Sequence, residues 1–257
     1  MESATVPAWP FQVLGVEVLD ELRGIRREPA ALFFSVLMPI GFYALFASLF
    51  GNYQQPGGLP VAAQMLATYG TFGVVSVVLL NPGIGVADAR SRGWLRVKKV
   101  SAVPVGTTLA AKVIATLPYA LAVLLAMAAV SRVVAGPVVG VGTVLRLAGV
   151  QLLGALPFAL IGLAVGFVAS SNTAAAVLNA LLIPMSVASG LWIPLENLPP
   201  FVQHLAPVLP TYHLSQLALA QLTGAPVTGH VLALLLTTAV AGALAALAAL
   251  AYRNLRV

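Results

Sequence analysis

Residues 190–213 read GLWIPLENLPPFVQHLAPVLPTYH. The stretch holds one acid, Glu196, no Lys or Arg, and five prolines, Pro194, Pro199, Pro200, Pro207 and Pro210. Each proline lacks a backbone donor and its ring crowds the preceding turn, so no continuous helix accommodates five of them. The segment is too apolar for a solvated loop and too broken to cross a membrane as a single rod. What surrounds it decides what it is.

Hydrophobic residues make up 60% of the 257 positions and charged residues 8%, against about 25% charged in a soluble domain. Such a chain has too little polar surface to cover a core in water, so it reads as an all-α integral membrane protein. There is no cysteine, which excludes a disulfide framework and thiolate chemistry. The net charge is +6, but the cations are few and sit at the edges of apolar runs. That pattern orients a chain in a bilayer; it is not the dense basic face of a nucleic-acid binder.

A helix needs about 20 residues to cross a hydrocarbon core. Six runs qualify: 30–50, 62–87, 105–131, 145–169, 173–193 and 230–252. The short connection Ser170-Ser171-Asn172 makes the fourth and fifth antiparallel neighbours. Gly162 and Gly166, four residues apart, let helices approach closely. With six spans, eleven cations (Arg23, Arg26, Arg27, Arg90, Arg92, Arg96, Lys98, Lys99, Lys112, Arg253, Arg256) fall on one side and two (Arg132, Arg146) on the other. The positive-inside rule therefore puts both termini in the cytoplasm and residues 194–213 outside.

Two cytoplasmic segments do not span. In 11–27, Phe11, Leu14, Val18, Leu22 and Ile25 recur at helical spacing, with Glu17, Asp20, Glu21 and Arg23 largely between them. This reads as an amphipathic helix on the inner surface; a plain extension of the first span is the alternative, against which Glu28-Pro29 supplies a break. The loop 88–104 carries Arg90, Arg92, Arg96, Lys98 and Lys99 interleaved with Trp94, Leu95, Val97 and Val100. A topological anchor needs only the cations. The apolar residues suggest docking on the membrane or on a protein partner.

Catalytic classes fit poorly. There is no Gly-Lys dipeptide, hence no phosphate-binding loop for ATP. His204, His213 and His230 have no metal-ligand spacing and read as interfacial structural residues. No acid lies well inside a run, whereas an ion-coupled carrier generally needs an intramembrane ionisable group.

Gly190-Leu-Trp192-Ile-Pro194-Leu-Glu196-Asn-Leu-Pro199-Pro through Pro210-Thr-Tyr212 resembles the end-of-span-five signature of ABC-2 type transporter permeases. The order of the remaining segments agrees over most of the chain, and 88–104 is similar to the family's charged coupling segment, departing in having Trp94 after Gly93. The resemblance implies the membrane subunit of an ABC exporter working by alternating access. It implies further that this chain binds no cofactor itself, that ATP and Mg are used by two separately encoded ATPase subunits, and that a second permease copy or a related chain completes the route. It implies a coupling set of Asp88, Arg92, Gly93, Trp94, Leu95 and Arg96. It also implies a re-entrant outer gate containing Trp192, Pro194, Glu196, Pro199, Pro210 and Tyr212. With spans two and five at the central cavity, the lining candidates are Tyr69, Phe72, Ser76, Asn179, Met185 and Ser189, although each such residue type more often serves packing.

A mostly apolar lining with scattered hydroxyl and amide groups suits a hydrophobic or amphipathic cargo such as a drug, antibiotic or lipid. The Ala, Gly, Val and Arg bias hints at a GC-rich bacterial genome, and the resemblance implies a bacterial cell (inner) membrane. A glycan or lipid-linked polysaccharide exporter is the rival within the class, disfavoured by 7% aromatic residues. A secondary transporter, an intramembrane enzyme or a membrane scaffold are the rivals outside it.

Overall fold

The computed structural model describes residues 10–53, 58–93 and 104–254. Every regular element among them is helical. The chain opens with α1 (Pro10–Arg26), then α2 (Pro29–Leu32), a π-helical turn (Phe33–Leu37) and α3 (Met38–Phe50). After α4 (Val61–Ser91) come α5 (Val105–Ile114), α6 (Leu117–Val134), α7 (Val141–Gly154), α8 (Leu156–Val168) and α9 (Ser171–Ala188). A 3-10 turn (Leu195–Asn197), α10 (Pro200–Leu205), a second 3-10 turn (Ala206–Val208), α11 (Pro210–Thr223) and α12 (Thr228–Asn254) complete it.

Six stretches among the described residues are long and apolar enough to cross a membrane: Phe33–Phe50, Val61–Ser91, Gly106–Val134, Val141–Val168, Ser171–Ala188 and Thr228–Tyr252. The chain is thus a multi-pass membrane protein. Three features of the spans differ from the runs read in sequence, and proline accounts for two. Span three breaks between α5 and α6 because Pro118 cannot donate to, and crowds, the carbonyl of Ile114, where α5 ends. Pro157 divides span four into α7 and α8 in the same way. Span five stops at Ala188, short of 193, where the chain turns at Gly190 with φ of +73°.

α4 is the hub. It is buried along most of its length and packs on α3, α6, α8, α9 and α11. Its tightest crossing is with α8. A Cβ on Gly162 would land on the carbonyl oxygen of Leu79, and one on Gly166 on that of Gly83. A helix approaches a neighbouring carbonyl this closely only where the residue facing it carries no side chain.

A polar bridge also enters α4. Pro39 in α3 has no N–H to offer the carbonyl of Ser35 four residues earlier. Ser76 on α4 supplies the donor instead, at 3.0 Å, sharing its proton with the Gly73 carbonyl at 2.8 Å. Further along, Gln151 of α7 is wholly buried and donates to the Ala67 carbonyl (2.7 Å) and to Thr71 (3.1 Å).

α1 lies against the start of span three. Its sheltered face carries Leu14, Glu17, Val18, Glu21, Leu22 and Ile25, while Phe11, Val16 and Leu19 are exposed. This corrects the expected face in two places: Phe11 points away from the bundle, and Glu17 and Glu21 point into it. The acids turn inward because partners wait there. Thr108 donates to Glu17 at 3.0 Å, and Lys112 contacts both oxygens of Glu21 at 2.7 and 2.8 Å. Tyr119 donates to the Leu22 carbonyl at 2.9 Å.

Candidate functional site

The prolines of 190–213 set the local structure, each placed where its missing donor does no harm. Pro194 precedes the first 3-10 turn, Pro199 precedes α10, which starts with Pro200, and Pro210 is the first residue of α11. The pieces between them are too short to cross a bilayer. α11 continues to Thr223, ten residues beyond the segment read from the prolines, and ends on Gly224 in the left-handed region at φ +72°.

Depth can be read along α4. Leu178 of α9 meets Gly83, and Trp192, just past the end of α9, meets Phe72. From Val61 down to Phe72 is about 16 Å at 1.5 Å per residue. Span five therefore ends well below the Val61 end of α4. The chain then makes an excursion and returns: the hydroxyls of Ser189 and Thr211 are hydrogen-bonded, and Thr211 also reaches the Met185 carbonyl at 3.3 Å. From there α11 climbs, its Leu214 clustered with Phe72 and Phe158, its Ala218 with Leu66 and Leu147.

Trp192 joins this excursion to the bundle. Its ring stands edge-on to Phe72 (centroids 5.1 Å apart) and Phe42 (5.7 Å), within the range of favourable aromatic pairs. Its carbonyl accepts a hydrogen bond from the Tyr69 hydroxyl at 3.2 Å. Tyr69 in turn packs on Tyr43 and Phe46. Spans one and two and the excursion thus meet in one aromatic cluster.

Of the residues expected at a cavity, the structure brings Tyr69, Phe72, Met185 and Ser189, all buried, together around buried Thr211 and half-buried Trp192. Ser76 is buried but engaged with Ser35. Asn179 is half-buried and donates to the Ala175 carbonyl of its own helix at 2.8 Å. Of the other gate candidates, Glu196 is exposed, and Tyr212 lies against the rings of His213 and His230.

Those two imidazoles are linked Nδ1 to Nδ1 at 2.9 Å, and Nε2 of His213 meets the Pro207 carbonyl at 2.8 Å. Since a carbonyl only accepts, His213 carries its proton on Nε2 and receives one from His230. The pair ties α12 to the excursion. Among the described residues no three His, Cys, Asp or Glu side chains converge as a metal site would require.

At the other end of α4, Asp88 accepts from Arg92 (Nε 3.0 Å, Nη2 3.0 Å), and Gly93 turns the chain at φ +72°. Trp94, Leu95 and Arg96 lie outside the described residues.

Sequence reasoning passed over Gln151, Thr211 and the Glu21–Lys112 pair. Gln151 carried a signal, being an amide inside the apolar run 145–169, where polar side chains mark interhelical bonds. Thr211 sat inside the quoted signature with no role assigned, and Glu21 carried no signal, since what each does depends on what folds beside it.

A family model described as "ABC-2 family transporter protein" matches residues 52–247. The chain is also 26% identical over 207 residues, covering 79% of its own length and 82% of the relative's, to the Bacillus subtilis (strain 168) protein named "Putative transport permease YvfS".

Proposed function

Because the chain belongs to the ABC-2 family of transporter proteins, and is thereby a membrane transport subunit of an ABC transporter, we propose that it is an exporter permease. It moves a hydrophobic or amphipathic substrate (drug, antibiotic or lipid) out of the cytoplasm or inner leaflet of a bacterial cell membrane. Both termini are cytoplasmic, two ATPase chains supply ATP hydrolysis, and a second permease copy pairs with this one.

The observation that carries this reading is the return of the chain to its own starting point. Residues 190–209 leave the end of span five and come back to it at Ser189–Thr211, below the far end of α4. Irregular backbone at membrane depth is tolerated where protein covers its polar groups, and here Tyr69, Gln203 and Thr211 accept that role: Gln203 donates to the Leu198 carbonyl at 2.8 Å. We read the excursion as an outer re-entrant gate, latched to spans one and two by Trp192. In alternating access it parts from α4 when the ATPases close.

The closing motion needs a transmission element on the cytoplasmic side. α1 is keyed to span three by two side-chain pairs and a tyrosine bond, and the basic loop follows α4 directly. We assign coupling to Asp88, Arg92, Gly93, Trp94, Leu95 and Arg96 together with α1. The test is co-purification with the ATPase and transport in vesicles for the double variant Trp94→Ala, Leu95→Ala. Loss of ATPase binding and of substrate-stimulated hydrolysis, with insertion intact, is the expected result. Wild-type assembly and transport would refute coupling through this loop.

A further inference from the structure

On the flank of the bundle, away from the aromatic cluster, α8 is left partly uncovered between α5 and α12. A groove of about 440 Å³ runs there, within the size of small-molecule sites, about 300–1,000 Å³. Its floor is Leu156, Leu160, Leu163 and Phe167, and its walls include Gly106 and Gly242. Every lining residue is apolar or glycine. α12 packs closely on α8 and α5 stands off on the other side, so the groove opens sideways.

Its depth matches one leaflet. From Leu156 to Phe167 is about 16 Å along the helix, and half of a hydrocarbon core is about 15 Å. The Phe167 end lies at the level of the α1 side of the bundle, where the Phe167 ring meets Tyr252 at 6.2 Å and Val86 and Ala89 of α4 join the same cluster. The Leu156 end lies at the break between α7 and α8, about 16 Å along α8 from that side. A hydrocarbon chain entering from that leaflet would lie along this floor and end near Leu156.

Charge selects the headgroup. Arg90, beside Ala89, reaches the Ala169 carbonyl, two residues past Phe167, through Nη2, while its Nε is buried with no hydrogen-bond partner among the described residues. One guanidinium, that of Arg90, thus stands near the Phe167 end of the groove, and basic pockets between spans on the cytoplasmic side bind anionic lipid headgroups. We propose that this groove seats one acyl chain of an anionic phospholipid of the α1-side leaflet, with its phosphate against Arg90. The inference rests on the bilayer setting alone, and stands or falls apart from the exporter reading.

The test is native mass spectrometry of the full chain after extraction from vesicles of phosphatidylcholine doped with phosphatidylglycerol. Wild-type protein should retain one phosphatidylglycerol per chain, favoured over phosphatidylcholine by about fivefold, the weight of one cation near an anionic surface. Ala246→Phe fills the groove and should abolish that retention at unchanged thermal unfolding. Gly242→Leu serves the same end if that variant misfolds, because a Cβ there meets only Leu160, at an ordinary 3.7 Å. Arg90→Gln should keep a bound lipid but lose the headgroup preference. Equal retention of both lipids by wild type, or undiminished retention in a folded groove-filling variant, overturns the proposal.

Discussion

The hydroxyl of Tyr69 donates a hydrogen bond to the backbone carbonyl of Trp192 at 3.2 Å, across 123 positions of sequence. That carbonyl follows the turn at Gly190, where helical partners are no longer available. Tyr69→Phe removes the donor and keeps the ring against Tyr43 and Phe46. It should lower stability by about 1 kcal/mol, the net worth of a hydrogen bond, and loosen the excursion, read as raised hydrogen exchange in residues 190–209. Unchanged exchange there would detach Tyr69 from the proposed gate.

Trp192→Ala should do more. The ring fills the space between Phe42 and Phe72, and truncating a large aromatic costs about 3–5 kcal/mol in a full core. Trp192 is half-buried, so the lower end is expected, measured as thermal unfolding in detergent. In vesicles a loosened gate should leak substrate without ATP, whereas a residue that serves packing alone would lower the melting temperature and leave the membrane tight.

The Glu21–Lys112 pair offers a sharper comparison. Its side chains are 25% and 8% exposed, so removing one partner strands a charge. Lys112→Met should destabilise by about 3–5 kcal/mol, whereas Lys112→Met with Glu21→Leu should recover much of the loss, because replacing both ends of a buried pair by apolar groups is often neutral. Thermal unfolding of the two variants decides it. If the double variant is as damaged as the single, the pair is not what holds α1 in place.

How much of this was written in the chain depends on the distance over which each feature is decided. The six spans, the breaks at the outer prolines and the small-residue crossing at Gly162 and Gly166 are local in sequence, and each follows from hydrophobic run length or from one side chain's sterics. The inward turn of Glu17 and Glu21 was hidden because amphipathic periodicity ranks an acid as polar, whatever stands opposite it. Thr108 and Lys112, ninety-one positions away, reverse that ranking. α11 was missed for a related reason. Its buried residues include the polar Thr211 and Ser215 beside Leu214, Leu217 and Ala218, in a run too short to read as a span. Of the cavity candidates, Tyr69 and Phe72 were legible as large aromatics on a span. The partner that gives them a shared setting, Trp192, came from the proline-broken segment itself.

The crossing of α4 and α8 should be intolerant of any side chain at its centre. Gly162→Val places a branched side chain onto the Leu79 carbonyl, which is helix backbone with no rotamer to shift. Little folded protein should be recovered from membranes, judged by monodisperse elution in detergent. Gly149→Val is the control, since nothing lies within 4 Å of a Cβ there. Comparable recovery of the two variants would mean that the helices separate at no great cost.

Sidedness gives the last test and bears on the whole functional reading. Glu196 and His204 are exposed, on the two sides of the turn into α10, and the chain has no native cysteine. A cysteine introduced at either position reports that site alone. If residues 190–209 form an outer gate, Glu196→Cys and His204→Cys should react with an impermeant maleimide added to intact cells. Arg23→Cys on α1, also exposed, should react only after the membrane is opened. The positive-inside rule predicts this arrangement, since eleven of the thirteen cations fall on the α1 side by connectivity. Labelling of Arg23→Cys in intact cells would invert the molecule, turn the excursion toward the cytoplasm and remove the basis for calling it a gate on the exit path.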